Sequence, residues 1–236
     1  MGVIHSFFTI TFATLGLSLS PIAATALNLS TVSSENELQD LLLQPAFVAE
    51  GRYNSIQLDT NAQAGSQVDG VWSNGEKQPF SLSYDGSTVK YTVGKTSLES
   101  QISGNYNDIF ITTKTTEGCN SVVLNNLVLT DSFTSLSISG ISASCGSNEL
   151  SIFHFSDIKE TFTLMGNALL SWMNPPQNPA NLAYQIRVGN VEAPDTSTDT
   201  NQEPADPDDS TSTPPETSTG IDWFPSKEDG SYCTSP

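Results

Sequence analysis

The side chains able to do chemistry are few in this 236-residue chain. Its soft nucleophiles and imidazole bases are three cysteines, Cys119, Cys145 and Cys233, and two histidines, His5 and His154. In an exported chain, Cys119 and Cys145 could pair and close a loop between strands. Such a bridge contributes roughly 3 kcal/mol in the chain-entropy account. The alternative is two reduced thiols. Cys233 is left over. It could form an intermolecular disulfide, carry a modification, or be an incidental exposed thiol. A Ser-His-Asp triad would need His154 as its general base. His154 sits in Ile152-Phe153-His154-Phe155, a strand pattern with no nucleophile elbow nearby. Its plainer role is a residue on one face of a sheet. A zinc site on that single imidazole would have to recruit cysteines or carboxylates.

Carboxylate pairs are the remaining catalytic option, as in glycosidases. Sandwich glycosidases of the laminarinase type carry Glu-x-Asp-x-x-Glu on one strand, and this chain has no such run. Asp157 and Glu160 are close in sequence but fall in what reads as a loop. Calcium needs six to eight oxygen ligands. The acidic residues Asp59, Asp69, Asp85, Asp108 and Asp131 are scattered, while Asp206, Asp208 and Asp209 cluster only in a tail. The expectation is a non-enzymatic protein with no catalytic residue, no metal and no cofactor.

Sugar binding is the function best matched to the residue types. Aromatic rings stack on pyranose faces while amides bond hydroxyls. Trp72-Ser73-Asn74 and Asn105-Tyr106-Asn107 offer both, so Trp72, Asn74 and Tyr106 are the candidate contacts. The competing role for Trp72 is the core, where large aromatics are mostly buried.

Charge narrows the partners. The chain has 8 Lys+Arg against 26 Asp+Glu, a formal charge of −18. Nucleic acid and anionic membranes both call for a basic patch. Extracellular polysaccharide or other surface proteins remain as partners.

The two ends differ from the middle. Phe7 to Leu19 is an apolar stretch of signal-peptide length, and Ala24-Thr25-Ala26 is a small-x-small cleavage site. Residues 1–26 are therefore expected to be a signal peptide, with secretion or display at the cell surface. No other stretch is apolar enough to span a membrane. Residues 191–236 hold 11 acidic residues, seven prolines and 15 Ser/Thr. That composition predicts a disordered acidic tail. It ends in a small aromatic patch, Ile221-Asp222-Trp223-Phe224-Pro225.

The elements that must position any site lie in residues 27–190. Ser34 and Glu37 have capping-box spacing, and Leu38, Leu41 and Leu42 share a helical face that Pro45 ends. After this short helix the period becomes two. Phe80, Leu82 and Tyr84 alternate with serines, Asp85-Gly86 signals a hairpin, and Val89, Tyr91 and Val93 alternate again. A two-residue turn would pair Leu82 with Val89 and Phe80 with Tyr91. Asn125-Asn126 shifts the phase of the next alternation, which predicts a bulge. Leu182, Tyr184, Ile186 and Val188 form one clean face. The pattern predicts an all-β, two-sheet antiparallel sandwich of the jelly-roll or concanavalin kind.

Several runs together resemble a known family. They are Trp72-Ser-Asn-Gly-Glu-Lys-Gln-Pro-Phe-Ser-Leu-Ser-Tyr-Asp-Gly86, Asn107-Asp-Ile-Phe-Ile111, Leu170-Ser-Trp172 and Asn181-Leu-Ala-Tyr-Gln-Ile-Arg-Val-Gly189. The combination, over roughly Thr31 to Val191, resembles the choice-of-anchor domains, of the W type, of cyanobacterial exported surface proteins. The resemblance implies an exported β-rich module and lends no catalytic residues. Such domains usually precede a PEP-CTERM sorting signal. Here Glu203-Pro204 and Pro215-Glu216 are present, but no apolar helix or arginine cluster follows. The expectation is free secretion or retention through the tail.

Overall fold

The computed structural model describes residues 27–32, 37, 41, 44–61, 63–116, 119–144 and 152–191. The expected signal peptide, Cys145, Cys233 and all the tail beyond Val191 lie outside them. So does most of the expected helix. Of that helix only Glu37 and Leu41 are described, and the Leu41 N–H donates to the Glu37 carbonyl at 3.2 Å.

The strands run in chain order as β1 (Asn28–Val32), β2 (Gln44–Arg52), β3 (Ser55–Thr60), β4 (Gln63–Asp69), β5 (Lys77–Tyr84), β6 (Thr88–Val93) and β7 (Thr96–Gln101). Then follow β8 (Asp108–Thr115), β9 (Ser121–Asp131), β10 (Ser135–Ser144), β11 (Ile152–Ser156), β12 (Phe162–Ser171) and β13 (Leu182–Asn190). They form two sheets, ordered β1-β11-β8-β13-β2-β3-β4 and β10-β9-β12-β5-β6-β7. All pairings are antiparallel. The expected all-β sandwich is the fold. Among the described residues, no helix is long and apolar enough to cross a membrane.

The alternation puts one apolar face of each sheet inside. Phe80, Leu82 and Tyr84 of β5, Val89, Tyr91 and Val93 of β6, and Leu182, Tyr184, Ile186 and Val188 of β13 are all buried. Each such side chain stabilises by roughly 1.5–3 kcal/mol on leaving water. The core is aromatic at its centre. Phe47 packs on Tyr84, Tyr106 and Phe162, and Tyr184 packs on Trp72 and Phe80.

The β5–β6 hairpin has the expected faces but a different register. Leu82 pairs with Tyr91 and Phe80 with Val93, two residues along from the two-residue-turn expectation. The cause is the Asp85 carboxylate. Its Oδ1 accepts from the Ser87 N–H at 2.9 Å and the Thr88 N–H at 2.7 Å, which holds a longer loop. A slip of two leaves each side chain on its own face, because the strand period is two.

The expected bulge is present. Asn126 adopts φ 54°, and the β12–β9 register shifts between Met165 and Asn167. Opposite it on β10, Gly140 has φ 147°, and a Cβ there would stand 2.2 Å from the Leu124 carbonyl oxygen. Only glycine fits that position.

The seven-stranded sheet buries much of its outer face too. Glu50, Thr112, Gln185 and Arg187 are buried there. Val32, Phe110 and Ile152 form a second small core, with Leu41 and Val191 packed on it. Leu41 thus packs on the outer face beside Phe110 of β8.

The two sheets are not the same width. β10 packs across from β8, so β11 and β1 project past the edge of the opposing sheet.

Candidate functional site

The outer face of the six-stranded sheet is built from hydroxyl side chains in register. One row across it runs Glu99, Lys90, Ser83, Thr163, Thr130 and Ser135. A neighbouring row runs Ser97, Thr92, Ser81, Met165, Val128 and Ser137. Neighbouring hydroxyls bond one another, as in Thr92 with Ser97 at 2.9 Å and Thr130 with Ser135 at 3.0 Å. The charges in the first row cancel, since Lys90 and Glu99 pair at 2.6 Å. The face is therefore nearly uncharged in a chain of net charge −18. Solvated faces usually carry mixed Lys and Glu.

At one end of this face is a shallow, open cleft of about 300 Å³, lined by Ser83, Tyr84, Asp85, Thr130, Asp131, Thr161, Phe162 and Thr163. Two hairpin tips wall it, and both read Asp-x-x-Thr: Asp85-Gly-Ser-Thr88 and Asp131-Ser-Phe-Thr134. They fold alike. Asp131 Oδ1 accepts from the Phe133 N–H at 2.9 Å and the Thr134 N–H at 2.7 Å, matching what Asp85 does in its own turn. The two tips flank β12, where Phe162 pairs with Tyr84 on one side and Asp131 on the other. Ser132 Oγ lies 3.1 Å from Thr161 Oγ1, tying the second tip to the floor.

The electrostatics of the cleft are negative. At Asp85, hydrogen bonds from the Ser87 and Thr88 amides hold the carboxyl below its ordinary value. At Asp131, burial pushes the carboxyl up, but the Phe133, Thr134 and Lys159 amides together pull it lower. Both are carboxylates at neutral pH. Phe133, on the Asp131 tip, is 66% exposed. Half-buried hydroxyls beside the exposed Asp85 carboxylate make a surface able to hydrogen-bond a polyhydroxyl ligand, while the Asp131 carboxylate is buried and occupied by the Phe133, Thr134 and Lys159 amides.

The residues singled out in the sequence are placed elsewhere. Trp72 is 7% exposed, and its indole N–H donates to the Ser55 carbonyl at 2.9 Å. Tyr106 is 8% exposed and packs on Phe47 and Tyr84. Both rings are core rings, so neither offers a stacking face to solvent. Asn74 is exposed, but its amide is engaged on both sides by Trp172. Its Nδ2 donates to the Trp172 carbonyl at 2.7 Å, and its Oδ1 accepts the Trp172 N–H at 2.9 Å. These three residues are not brought together with the cleft.

His154 Nε2 lies 2.7 Å from Asp108 Oδ1, and its ring stacks on Phe110 at 4.1 Å. Ser30 Oγ is 3.5 Å from the other ring nitrogen. That is longer than the roughly 2.6–3.2 Å reach of proton transfer. The plain role of His154, a strand residue pinned on one face, describes this geometry. Asp157 and Glu160 lie in a loop, both with positive φ, and Asp157 accepts from Asn28. Cys119 is an exposed free thiol, and Cys145 lies outside the described residues. Among the described residues, no group of three or more His, Cys, Asp or Glu side chains could hold a metal ion.

The cleft had a sequence signal that reading by aromatic type passes over. It is the repeated Asp-x-x-Thr, each copy forming the turn between two paired strands. No family model matches the chain, and no curated protein matches it.

Proposed function

We propose that this protein is a non-enzymatic module that works outside the cell and binds an extracellular polysaccharide in the cleft between Asp85 and Asp131. The observation that carries the reading is the run of uncharged hydroxyl side chains leading into a cleft walled by two rigid Asp turns. Hydroxyl rows pair with sugar hydroxyls without a charged group to desolvate. The exposed Asp85 carboxylate accepts from sugar O–H donors, and charge-assisted bonds are the stronger kind. The export signal expected in residues 1–26 supports an extracellular site of action. The resemblance to choice-of-anchor domains supports the same setting, with the acidic tail as a soluble spacer that repels like-charged surfaces.

In that oxidising setting Cys119 and Cys145 pair in this reading. Ser121 stands opposite Ser144 at the ends of β9 and β10, and Cys119 itself is a free thiol in the structure.

The test is electrophoresis in gels cast with single polysaccharides. Wild-type protein is expected to be retarded by at least one neutral polysaccharide. Thr163→Lys, which fills the cleft floor with a long charged side chain, is expected to run unretarded. Equal migration of both proteins in every gel would overturn the reading.

A further inference from the structure

We propose that the groove beside β10 is the seat of Ile221–Phe224 of this same chain, added to the six-stranded sheet as a further strand. This goes beyond the polysaccharide reading and does not depend on it. The groove exists because β11 and β1 project past β10. On that projection the inward face is covered in part. Phe155 of β11 is fully buried, but Leu29 is 39% exposed, Thr31 is exposed and Phe153 is half-buried, while Ile109 and Ile111 further in are fully buried. The wall is β10 itself. Its inward Leu136 and Ile138 are half-buried, whereas their pair partners on β9, Leu129 and Leu127, are fully buried. A strand laid along β10 would cover all five side chains.

The edge is also open chemically. An unprotected edge strand is a template for another strand, and proteins usually blunt it with charge, proline or short length. β1 has only five residues, β7 carries Glu99 and β4 ends in Asp69. β10 has ten residues with no charge and no proline.

The occupant must be extended, uncharged on one face and apolar there. Residues 192–220 contain no large apolar side chain. Ile221-Asp222-Trp223-Phe224 is the first group after Val191 that qualifies. Ile221 and Trp223 fall on one face of a strand, Asp222 on the other, and Pro225 stops the pairing. Val191 packs with Val32 and Ile152 on the outer side of the same projecting strands, so the chain leaves the domain close to the groove. The connection of 29 residues, 192–220, has a coil dimension of about 30 Å, enough to round the β1 edge. Tail and domain are both acidic, so docking should tighten as salt screens their repulsion.

The test is hydrogen exchange read by mass spectrometry on the full chain and on its full-length variant Ile221→Asp with Trp223→Asp. In the wild type the peptide 135–144 should be protected. In the variant it should exchange about tenfold faster or more, with β13 unchanged. The wild-type protection should not alter on dilution. Equal exchange in both chains would overturn the proposal. Protection that falls on dilution would overturn it too, since the occupant would then be a second copy.

Discussion

The hydroxyl oxygens of Tyr91 and Tyr184 stand 2.6 Å apart, one reaching in from each sheet. It is a polar bond inside an apolar core. Removing one partner leaves the other phenol buried without a bond. Tyr91→Phe should cost about 1–3 kcal/mol in denaturant unfolding, and the double change to Phe should cost less than the sum of the singles. Burial pushes both phenols well above their ordinary value. A raised value means that stability from these groups is whole below about pH 10 and falls as pH rises from there toward the folded values. Unfolding followed between pH 9 and 12 should show that decline in the wild type and a weaker one in the double variant.

Asp131 gives the opposite pH dependence. Burial raises its carboxyl, and three backbone amides overcome this and lower it. Its contribution is present above about pH 4 and is lost as pH falls through the lower folded value. Asp131→Ala should destabilise by about 1–3 kcal/mol and flatten the acid limb of the stability curve. It should also free the turn that carries Phe133, seen as faster amide exchange in 131–134.

Gly51 sits under the Tyr184 ring. A Cβ there would stand 2.3 Å from Tyr184 Cε1 and 2.9 Å from the Trp72 ring. Gly51→Ala should force both rings to move and cost about 1–3 kcal/mol. A matching change in near-ultraviolet circular dichroism would locate the damage at the aromatic cluster.

Intact mass checks the export and bridge expectations together. Protein recovered from the medium or the cell surface should begin at Leu27. It should be lighter than the reduced chain by one pair of hydrogens, and a single thiol should alkylate before reduction. A species retaining Met1, or one alkylated at all three cysteines, would contradict them.

The sandwich was legible where alternation was unbroken. β5, β6 and β13 are plain in Phe80 to Tyr84, Val89 to Val93 and Leu182 to Val188. β7 was not, because it buries only Leu98, and β2 begins at Gln44, next to the Pro45 at which the expected helix ended. The register of β5–β6 was missed by two residues because the decisive group is the Asp85 side chain, not the hairpin dipeptide. Burial on both faces of β8 and β13 depends on packing beyond the strand itself, such as Leu41 against Phe110, and local periodicity cannot see it. The cleft was missed for a similar reason. Its hydroxyls come from β5, β9 and β12, which are distant in sequence and meet only through the strand order. Trp72 and Tyr106 were candidates by residue type alone, and their burial is a property of the packed core.

The central claim is that a polyhydroxyl ligand occupies the cleft between the two Asp-x-x-Thr tips. Amide chemical-shift mapping on isotope-labelled protein, titrated with neutral oligosaccharides, tests it most directly. The account predicts saturable shifts confined to residues 83–88, 130–134 and 161–163, abolished by Thr163→Lys. Shifts centred elsewhere, or none with any oligosaccharide that retards the protein as a polymer, would contradict it.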